Sequence, residues 1–432
     1  MSAKLPVDIL FDNVINKGLC TRCGTCAGVC PTDNIHIGDP VGSSLPVHDD
    51  NCSSCGLCLS SCPGERVKFK PLERSLFQDQ ISHPLLGVTK NIYLSHAVDP
   101  EIRRAGASGG LATALQLYLF RRKLIVGSVL YTRHRSEPWR GEGRVIEDEV
   151  GIKEASQSRY HLSPMNTILG DLKNREGKYA YVGLPCHVHG LRKLEKTGWK
   201  ANAEINPVIG IYCGNNLYFE ATRVILRKLG VKSLGDVASL SYREGSWPGC
   251  FSVTDRSGQT KEISKLDFNQ TIPFYINHRC LTCIDLTNEL SDISVGDGWA
   301  KEEAAKEGWS VVLTRSETGD RIVKDAAAAG IIHIEEISAG DAVAMHSHAF
   351  DLKKKGAFIR LKLWKKWGIA VPRYDRAFSS QKLSRKIVEV LVSLQFLLCS
   401  SRGGRAVFNI LPLAAMGKIF RSLRKLWMKI SK

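Results

Sequence analysis

The spacing of apolar positions changes twice along this 432-residue chain, and each change marks a different kind of structure. Up to Lys70 the apolar residues come in sparse alternating pairs, Ile35 with Ile37 and Val67 with Phe69, which predict short strands. Beyond Lys70, strand-like runs alternate with runs of helical period. Ser108-Gly109-Gly110 opens the periodic run LATALQLYLF, a helix, and a strand is expected around Leu124–Tyr131. Lys178–Gly183 predicts a strand that breaks at Leu184-Pro185-Cys186 and resumes as a helix through Leu191 and Leu194. Pro207–Tyr212 predicts a third apolar strand, with a helix near Glu220–Leu229. Phe251–Asp255 and Thr260–Ile263 predict a hairpin around Ser257-Gly258. Ile293–Val295 runs into Gly296-Asp297-Gly298-Trp299, and Ser310–Thr314 begins a strand-turn-helix-strand run to Ile337. Strands and helices alternating at these lengths predict parallel pairing with helices on the sheet faces. From Met416 the residues Ile419, Phe420, Leu423, Leu426, Trp427 and Ile430 fall on one helical stripe. Lys418, Arg421, Arg424, Lys425 and Lys429 fall mainly elsewhere, which describes a cationic amphipathic helix.

Charge sharpens this division. The formal charge of +17 belongs to the last stretch: from Asp351 onward 20 Lys and Arg stand against 3 Asp and Glu, and residues 1–350 are neutral overall. That argues for a local basic surface and against a nucleic-acid-binding body. Ile387–Leu398 is apolar apart from Glu389. As a helix it would be about 18 Å long, too short for a hydrocarbon core of roughly 30 Å. Two readings of the basic region follow: peripheral attachment to an anionic membrane surface, and packing on the core or on a partner. The N-terminal residues MSAKLPVDILFDNVINKG show no apolar signal-peptide core and no small-residue cleavage site. The expectation is a cytoplasmic protein, with its tail peripheral at the inner face of the membrane.

Fourteen cysteines carry the chemistry. Cys20, Cys23, Cys26 and Cys30, followed by Pro31, form C-x2-C-x2-C-x3-C-P, and Cys52, Cys55, Cys58 and Cys62, followed by Pro63, repeat the spacing. Three cysteines two residues apart wrap a tight turn around three corners of a [4Fe–4S] cubane. The fourth crosses to the other cluster in two-cluster ferredoxins. The expected ligand sets are Cys20, Cys23, Cys26 and Cys62 for one cluster, and Cys52, Cys55, Cys58 and Cys30 for the other. Structural zinc, the rival, favours paired C-x2-4-C knuckles, which the tandem triplets do not match. Gly24, Gly28 and Gly56 let backbone N–H groups approach the sulfurs.

Four more cysteines sit at predicted strand ends or in a short knuckle: Cys186 in Gly183-Leu184-Pro185-Cys186-His187, Cys213 in Tyr212-Cys213-Gly214, and Cys280 with Cys283 in C-x2-C. Spacing alone leaves a cluster, a zinc site, a redox dithiol and coincidence all open. Cys250 and Cys399 have no such context and are expected to be ordinary buried thiols.

These pieces resemble the beta-subunit family of coenzyme F420-reducing hydrogenases and dehydrogenases, which also includes a chlorophyll-metabolism reductase and many bacterial members. The resemblance rests on Ala107-Ser108-Gly109-Gly110, Gln157-Ser158-Arg159-Tyr160, Tyr181 to Leu191, Tyr212-Cys213-Gly214, Cys280-Leu281-Thr282-Cys283 and Asp292 to Trp299, in the family's order across roughly residues 15–340. It implies a flavin-binding α/β core with its own [4Fe–4S] cluster, held on this chain by Cys186, Cys213, Cys280 and Cys283. The fold expected is thus an α+β ferredoxin-like 2[4Fe–4S] head (1–70), an α/β flavin-binding core (71–345, with lobes about 85–175 and 176–345), and a basic, partly amphipathic helical tail (346–432).

FAD is the expected companion, because clusters pass single electrons and organic substrates usually need two. Ser108, Gly109 and Gly110 at a helix start offer N–H groups to a pyrophosphate, although the same residues also read as a plain turn and N-cap. Gln157, Ser158 and Tyr160 are expected to hydrogen-bond the flavin or its ribityl chain, against the alternative of a surface loop. Asp297 is expected to touch a ribityl hydroxyl or a substrate, against the alternative of a strand-ending turn. His187, His189, His346 and His348 are given no role. The function expected is an iron–sulfur flavin-dependent oxidoreductase. Its partners are a redox protein or ferredoxin and a small-molecule hydride donor or acceptor, either the deazaflavin coenzyme or another organic compound. The rival is a non-catalytic electron-transfer subunit serving a separate enzyme.

Overall fold

The protein was studied as a computed structural model, and the structure describes residues 4–78, 80–299, 307–379, 381–413, 415–417 and 422. Its centre is a mixed eight-stranded sheet of β1 (Asn91–Ala97), β2 (Gly127–Arg133), β3 (Gly141–Ile146), β4 (Gly177–Gly183), β5 (Ala203–Ile211), β6 (Ile293–Asp297), β7 (Ser310–Thr314) and β8 (Ile332–Glu336). The spatial order is β8-β1-β7-β6-β5-β4-β2-β3. β6, β5, β4 and β2 are mutually parallel. β7 runs antiparallel to both β6 and β1, β8 to β1, and β3 to β2. The expected parallel pairing therefore holds only in the middle of the sheet. β3 follows β2 through the short loop 134–140, and an antiparallel return needs no crossover helix.

Side chains alternate faithfully across this sheet. On β4, Ala180 and Val182 join one core with Leu111, Leu115 and Val323, while Tyr179 and Tyr181 join another with Val188, Leu191 and Leu169. The first face is covered by the helices Leu111–Arg121 and Glu317–Ala328, and the second by Pro185–Leu194 and the turn Met165–Asn174. With both faces covered, β6 and β7 are almost entirely buried, as central strands of such a sheet are.

A second core gathers the helix Glu220–Lys228 and a three-stranded antiparallel sheet, Val237–Glu244, Cys250–Asp255 and Thr260–Ser264. The hairpin is the one expected; its third strand, Val237–Glu244, has no counterpart in the expectations. The helices Leu383–Ser400 and Arg402–Ile410 pack here, with Phe408 ringed by Phe274 and Tyr275. Much of the basic region is thus folded onto the body. Arg360 and Arg385 bind Glu389, and Lys354 and Arg376 bind Glu289, all within the interior or at its margin. The amphipathic stripe from Ile419 to Ile430 lies outside the described residues. Among the described residues no helix is long and apolar enough to cross a membrane.

Two expectations are corrected. Val67 belongs to a two-residue strand paired with Arg373–Tyr374, and Phe69 starts the helix Phe69–Phe77, so the two do not share the short strand expected of them. Phe69 is buried on the sheet side instead, where apolar burial outweighs the two-residue alternation. Cys250 and Cys399 are half-buried rather than buried.

Candidate functional site

The two N-terminal cysteine loops fold alike. Arg22 and Ser54 occupy the same place in each motif with φ of 59° and 57°, and Gly24 and Gly56 follow with 84° and 72°. Each left-handed pair reverses the chain into a helical turn, Thr25–Gly28 or Leu57–Ser61. Thiols cross between the loops. Cys20, Cys23 and Cys26 neighbour Cys62, and Cys58 neighbours Cys52 and Cys55 of its own loop together with Cys30 of the other. Burial, reinforced by the adjacent thiols, pushes Cys20 and Cys58 up to about 12 and Cys62 up to about 11. Thiolates there need positive charge beside them, which an iron–sulfur core supplies. Backbone N–H groups of Arg22 and Gly64 donate to the sulfurs of Cys20 and Cys62 at 3.3 and 3.4 Å. Among the described residues no three Cys, His, Asp or Glu side chains close to the spacing of a single-ion site. A cubane, being larger than one ion, holds its four thiolates further apart.

Both loops rest on the body: Leu57 of the second packs into the core that holds Val188 and Leu191, and Lys193 donates to the Cys62 carbonyl, while the first is seated more closely still at its glycines. A Cβ on Gly24 would stand 2.7 Å from the Pro164 carbonyl oxygen, and one on Gly28 would stand 2.0 Å from that of Asn166. At Gly56 there is nothing within 4 Å. Asn166 completes the joint: its amide donates to Thr25 Oγ1 at 2.8 Å and to the His187 carbonyl at 2.9 Å, and Thr25 Oγ1 lies 3.1 Å from Cys23 Sγ. Asn277 donates to the Cys20 carbonyl, and Arg279 to those of Gly64 and Pro63.

The third cysteine set assembles at the carboxyl edge of the sheet, where ligand sites gather in open α/β folds. β4 delivers Cys186, β5 delivers Cys213, and the Asn277–Cys283 turn brings Cys280 and Cys283. After burial itself, the groups that push the Cys186 thiol up are Cys23, then Cys213, Cys280 and Cys283. The set therefore lies within electrostatic reach of the first head set, on the side of Cys23. Lys353, 2% exposed, donates to the Cys280 carbonyl at 3.1 Å. Sequence reasoning missed this lysine, because a Lys353-Lys354-Lys355 run ordinarily reads as a solvated face. The histidines nearby are satisfied: His187 bonds the Ser163 carbonyl at 2.8 Å and His189 bonds Asp285 at 2.8 Å.

The residues expected to hold flavin meet at the same edge. Gly109 and Gly110, with φ of 65° and 69°, form the turn before the Leu111–Arg121 helix. The Ser108 hydroxyl donates to the Trp309 carbonyl, and Gln157 Nε2 donates to the Ala105 carbonyl at 2.8 Å. Asp297 ends β6 with its carboxylate on Arg243 Nη1 at 2.9 and 3.0 Å. Arg243 also faces the Tyr160 hydroxyl, so one buried guanidinium joins Tyr160 to Asp297. Ser158 lies off this group, in the wall of a neighbouring cleft that Gln157 also lines. Around the edge, Trp247 Nε1, Trp309 Nε1, Tyr212 Oη, Arg243 Nη2 and Gln157 Oε1 are buried without a partner among the described residues. Such a ring of unspent donors and acceptors suits a polar ligand.

Comparison with known proteins identifies the family of the body and the type of the head. Residues 92–170 and 176–340 match the models for the N-terminal and C-terminal parts of the coenzyme F420 hydrogenase/dehydrogenase beta subunit. Residues 12–63 match the 4Fe-4S dicluster domain. The chain is 29% identical over 265 residues to coenzyme F420 hydrogenase subunit beta of Methanothermobacter thermautotrophicus, covering 59% of this chain and 89% of the relative. It is 24% identical over 342 residues to the coenzyme F420-dependent sulfite reductase of Methanocaldococcus jannaschii, covering 76% of this chain and 49% of that protein. In fold it resembles a chain of the F420-reducing [NiFe] hydrogenase complex from Methanosarcina barkeri, with TM-score 0.54, 22% identity, and coverage of 69% of this chain and all of that one.

Proposed function

Since the chain belongs to the coenzyme F420 hydrogenase/dehydrogenase beta-subunit family and carries a 4Fe-4S dicluster domain, we propose that this electron-transfer oxidoreductase is an iron–sulfur flavoprotein. In this reading it moves electrons between ferredoxin-type clusters and FAD and exchanges hydride with a deazaflavin or another organic compound. The observation that carries the proposal is the nearness of Cys23 to Cys186, close enough for each thiol to act on the other's charge. It supports one continuous order of sites, from Cys30, Cys52, Cys55 and Cys58, through Cys20, Cys23, Cys26 and Cys62, to Cys186, Cys213, Cys280 and Cys283. The sheet edge follows, because Tyr212, next to Cys213, packs so closely on Gly296 that a Cβ there would stand 2.3 Å from its ring.

When bound, clusters supply one-electron transfer and the flavin supplies the conversion to two-electron chemistry. The protein's part is positioning. The cysteines hold, the N–H groups of Arg22 and Gly64 tune, and the joint around Asn166 keeps water from between the first and third sets. Ser108, Gly109, Gly110, Gln157, Tyr160 and Asp297 would hold the flavin, with Arg243 fixing the last two. The outer rim of the second loop, where Cys55 is exposed, suits a redox partner protein or ferredoxin as the outer terminal.

Anaerobic purification with iron, sulfide and flavin quantification tests the scheme. About twelve iron and one FAD per chain would support it, at four iron per cubane. About eight iron without flavin would instead favour the electron-carrier reading.

The basic region supports a further contact, with an anionic lipid surface. Leu383, Ile387, Leu391, Leu394 and Leu398 form one exposed stripe on the Leu383–Ser400 helix, 43–72% exposed, in the most positively charged part of the chain. Leu391→Glu with Leu394→Glu should reduce co-sedimentation with anionic vesicles while leaving the packed face intact. Equal sedimentation of variant and parent would remove the lipid reading, and binding of the stripe to a partner subunit alone would replace it.

A further inference from the structure

Beside the sheet edge, where β2 ends, lies a narrow open cleft lined by Arg133, Arg140, Arg159, Gln157, Ser241 and His161. Arg140 is paired with Glu137 at 2.8 Å. Arg133 and Arg159 meet no carboxylate among the described residues. Arg133 Nη2 reaches the Leu240 carbonyl at 3.4 Å, and Arg159 Nη1 reaches that of Tyr131 at 3.1 Å. Burial and the neighbouring Arg133 pull the Arg159 guanidinium down to about 10. Arg133 is exposed at the rim of the cleft and Arg159 is half-buried deeper in it, so an anion between them would meet one guanidinium from each side and relieve their mutual repulsion.

The rest of the lining adds hydrogen-bonding capacity that the protein itself leaves unused. Ser241 and His161 are 8% and 5% exposed, yet Ser241 Oγ and His161 Nε2 have no partner among the described residues, and neither has Gln157 Oε1. His161 Nδ1 lies 3.0 Å from the Leu162 carbonyl, so Nδ1 carries the proton and Nε2 is an acceptor. Gln157 Nε2 is spent on Ala105, so Oε1 is likewise an acceptor. The cleft therefore offers two unneutralised guanidiniums, one hydroxyl and two acceptors. An anion alone leaves the acceptors idle, and a polyol alone leaves the charge unmatched. Two guanidinium forks match a phosphate dianion better than a single carboxylate.

We propose that this cleft binds a hydroxyl-bearing phosphate ester, with Arg133 and Arg159 on the phosphate and Ser241, His161 and Gln157 on the hydroxyls. The ester has two sources: the phosphoribityl arm of the flavin, or a phosphorylated sugar or nucleotide substrate. The site stands whether or not the flavin assignment does, and the flavin assignment decides only between the sources.

The test is calorimetric titration of anaerobically purified full-length protein with ribose 5-phosphate, ribose and inorganic phosphate, in flavin-loaded and flavin-depleted forms. Ribose 5-phosphate should bind at least ten-fold more tightly than either fragment. Arg133→Gln and Arg159→Gln should each weaken it about ten- to hundred-fold, the range for a lost hydrogen bond to a charged group, with iron content unchanged. Binding confined to flavin-depleted protein would assign the cleft to the flavin's own phosphate, and binding in both forms would assign it to a separate substrate. No binding in either form, or binding that both variants leave unchanged, would overturn the proposal.

Discussion

Lys353 donates its ammonium to the carbonyl oxygen of Cys280 at 3.1 Å, from a position only 2% exposed, and its charge faces Cys283, Cys213 and Cys280 together. A fixed positive charge beside a cluster favours the more negative, reduced form and raises its potential. Lys353→Met should therefore lower the potential of the third set by an amount on the order of tens of millivolts. Electron paramagnetic resonance during a redox titration should show this, with both head sets unmoved.

The joint between head and body depends on a missing side chain. Gly28 sits in ordinary helical backbone, so alanine there suits the local conformation, yet its Cβ would stand 2.0 Å from the Asn166 carbonyl oxygen. Gly28→Ala should cost about 1–3 kcal/mol through overpacking and slow electron transfer between the first and third sets. Denaturant unfolding and single-turnover reduction would measure the two effects. Gly56→Ala, with open space around it, should cost only the strain of its positive φ, about 1–2 kcal/mol.

Arg376 links three parts of the molecule, binding Glu289 in the core and Glu73 on the Phe69–Phe77 helix from beyond residue 345. Glu289 is fully buried and Lys354 remains its other partner. Arg376→Met strands Glu73 and half-strands Glu289, and should destabilise by about 3 kcal/mol, the low end for a broken buried pair. Urea unfolding at neutral pH would show it.

His161 gives a pH dependence. Burial first, partly offset by its bond to the Leu162 carbonyl, lowers it to about 4, so the folded chain holds it neutral while the unfolded chain protonates it near pH 6.5. Its contribution to stability is present in full above the unfolded value and is lost as pH falls from about 6.5 towards 4. Between about pH 8 and pH 5 the parent should lose about 2 kcal/mol more than His161→Gln. Identical pH slopes of the two unfolding curves would disprove the assignment.

Much of this was legible beforehand. The cysteine loops announce themselves because a short segment wrapping a small object must place its ligands at fixed local intervals. The β4-to-helix and β5 elements follow from a change of apolar period within a few residues. Other features left no local mark. β7 and β8 read as continuations of the parallel alternation, since strand direction is a property of the sheet and not of the strand. The burial of Lys353 and Lys354 reverses what their run of charge suggests, because Glu289 and the third cysteine set wait for them from distant segments.

By itself, then, the order of residues determined which thiols belong to tight loops, where strands give way to helices, and that the positive charge is concentrated beyond residue 350. Only the tertiary structure decided that Gly24 and Gly28 of the first loop seat closely against Pro164 and Asn166 while Cys55 of the second stays exposed, that Cys23 lies near enough to act on Cys186, and that Arg133, Arg159 and Ser241 share one cleft. The physical reason is range. Backbone geometry and hydrophobic period act over a few residues and are written locally, whereas the neighbours of a buried charge or thiol are chosen by how whole elements pack.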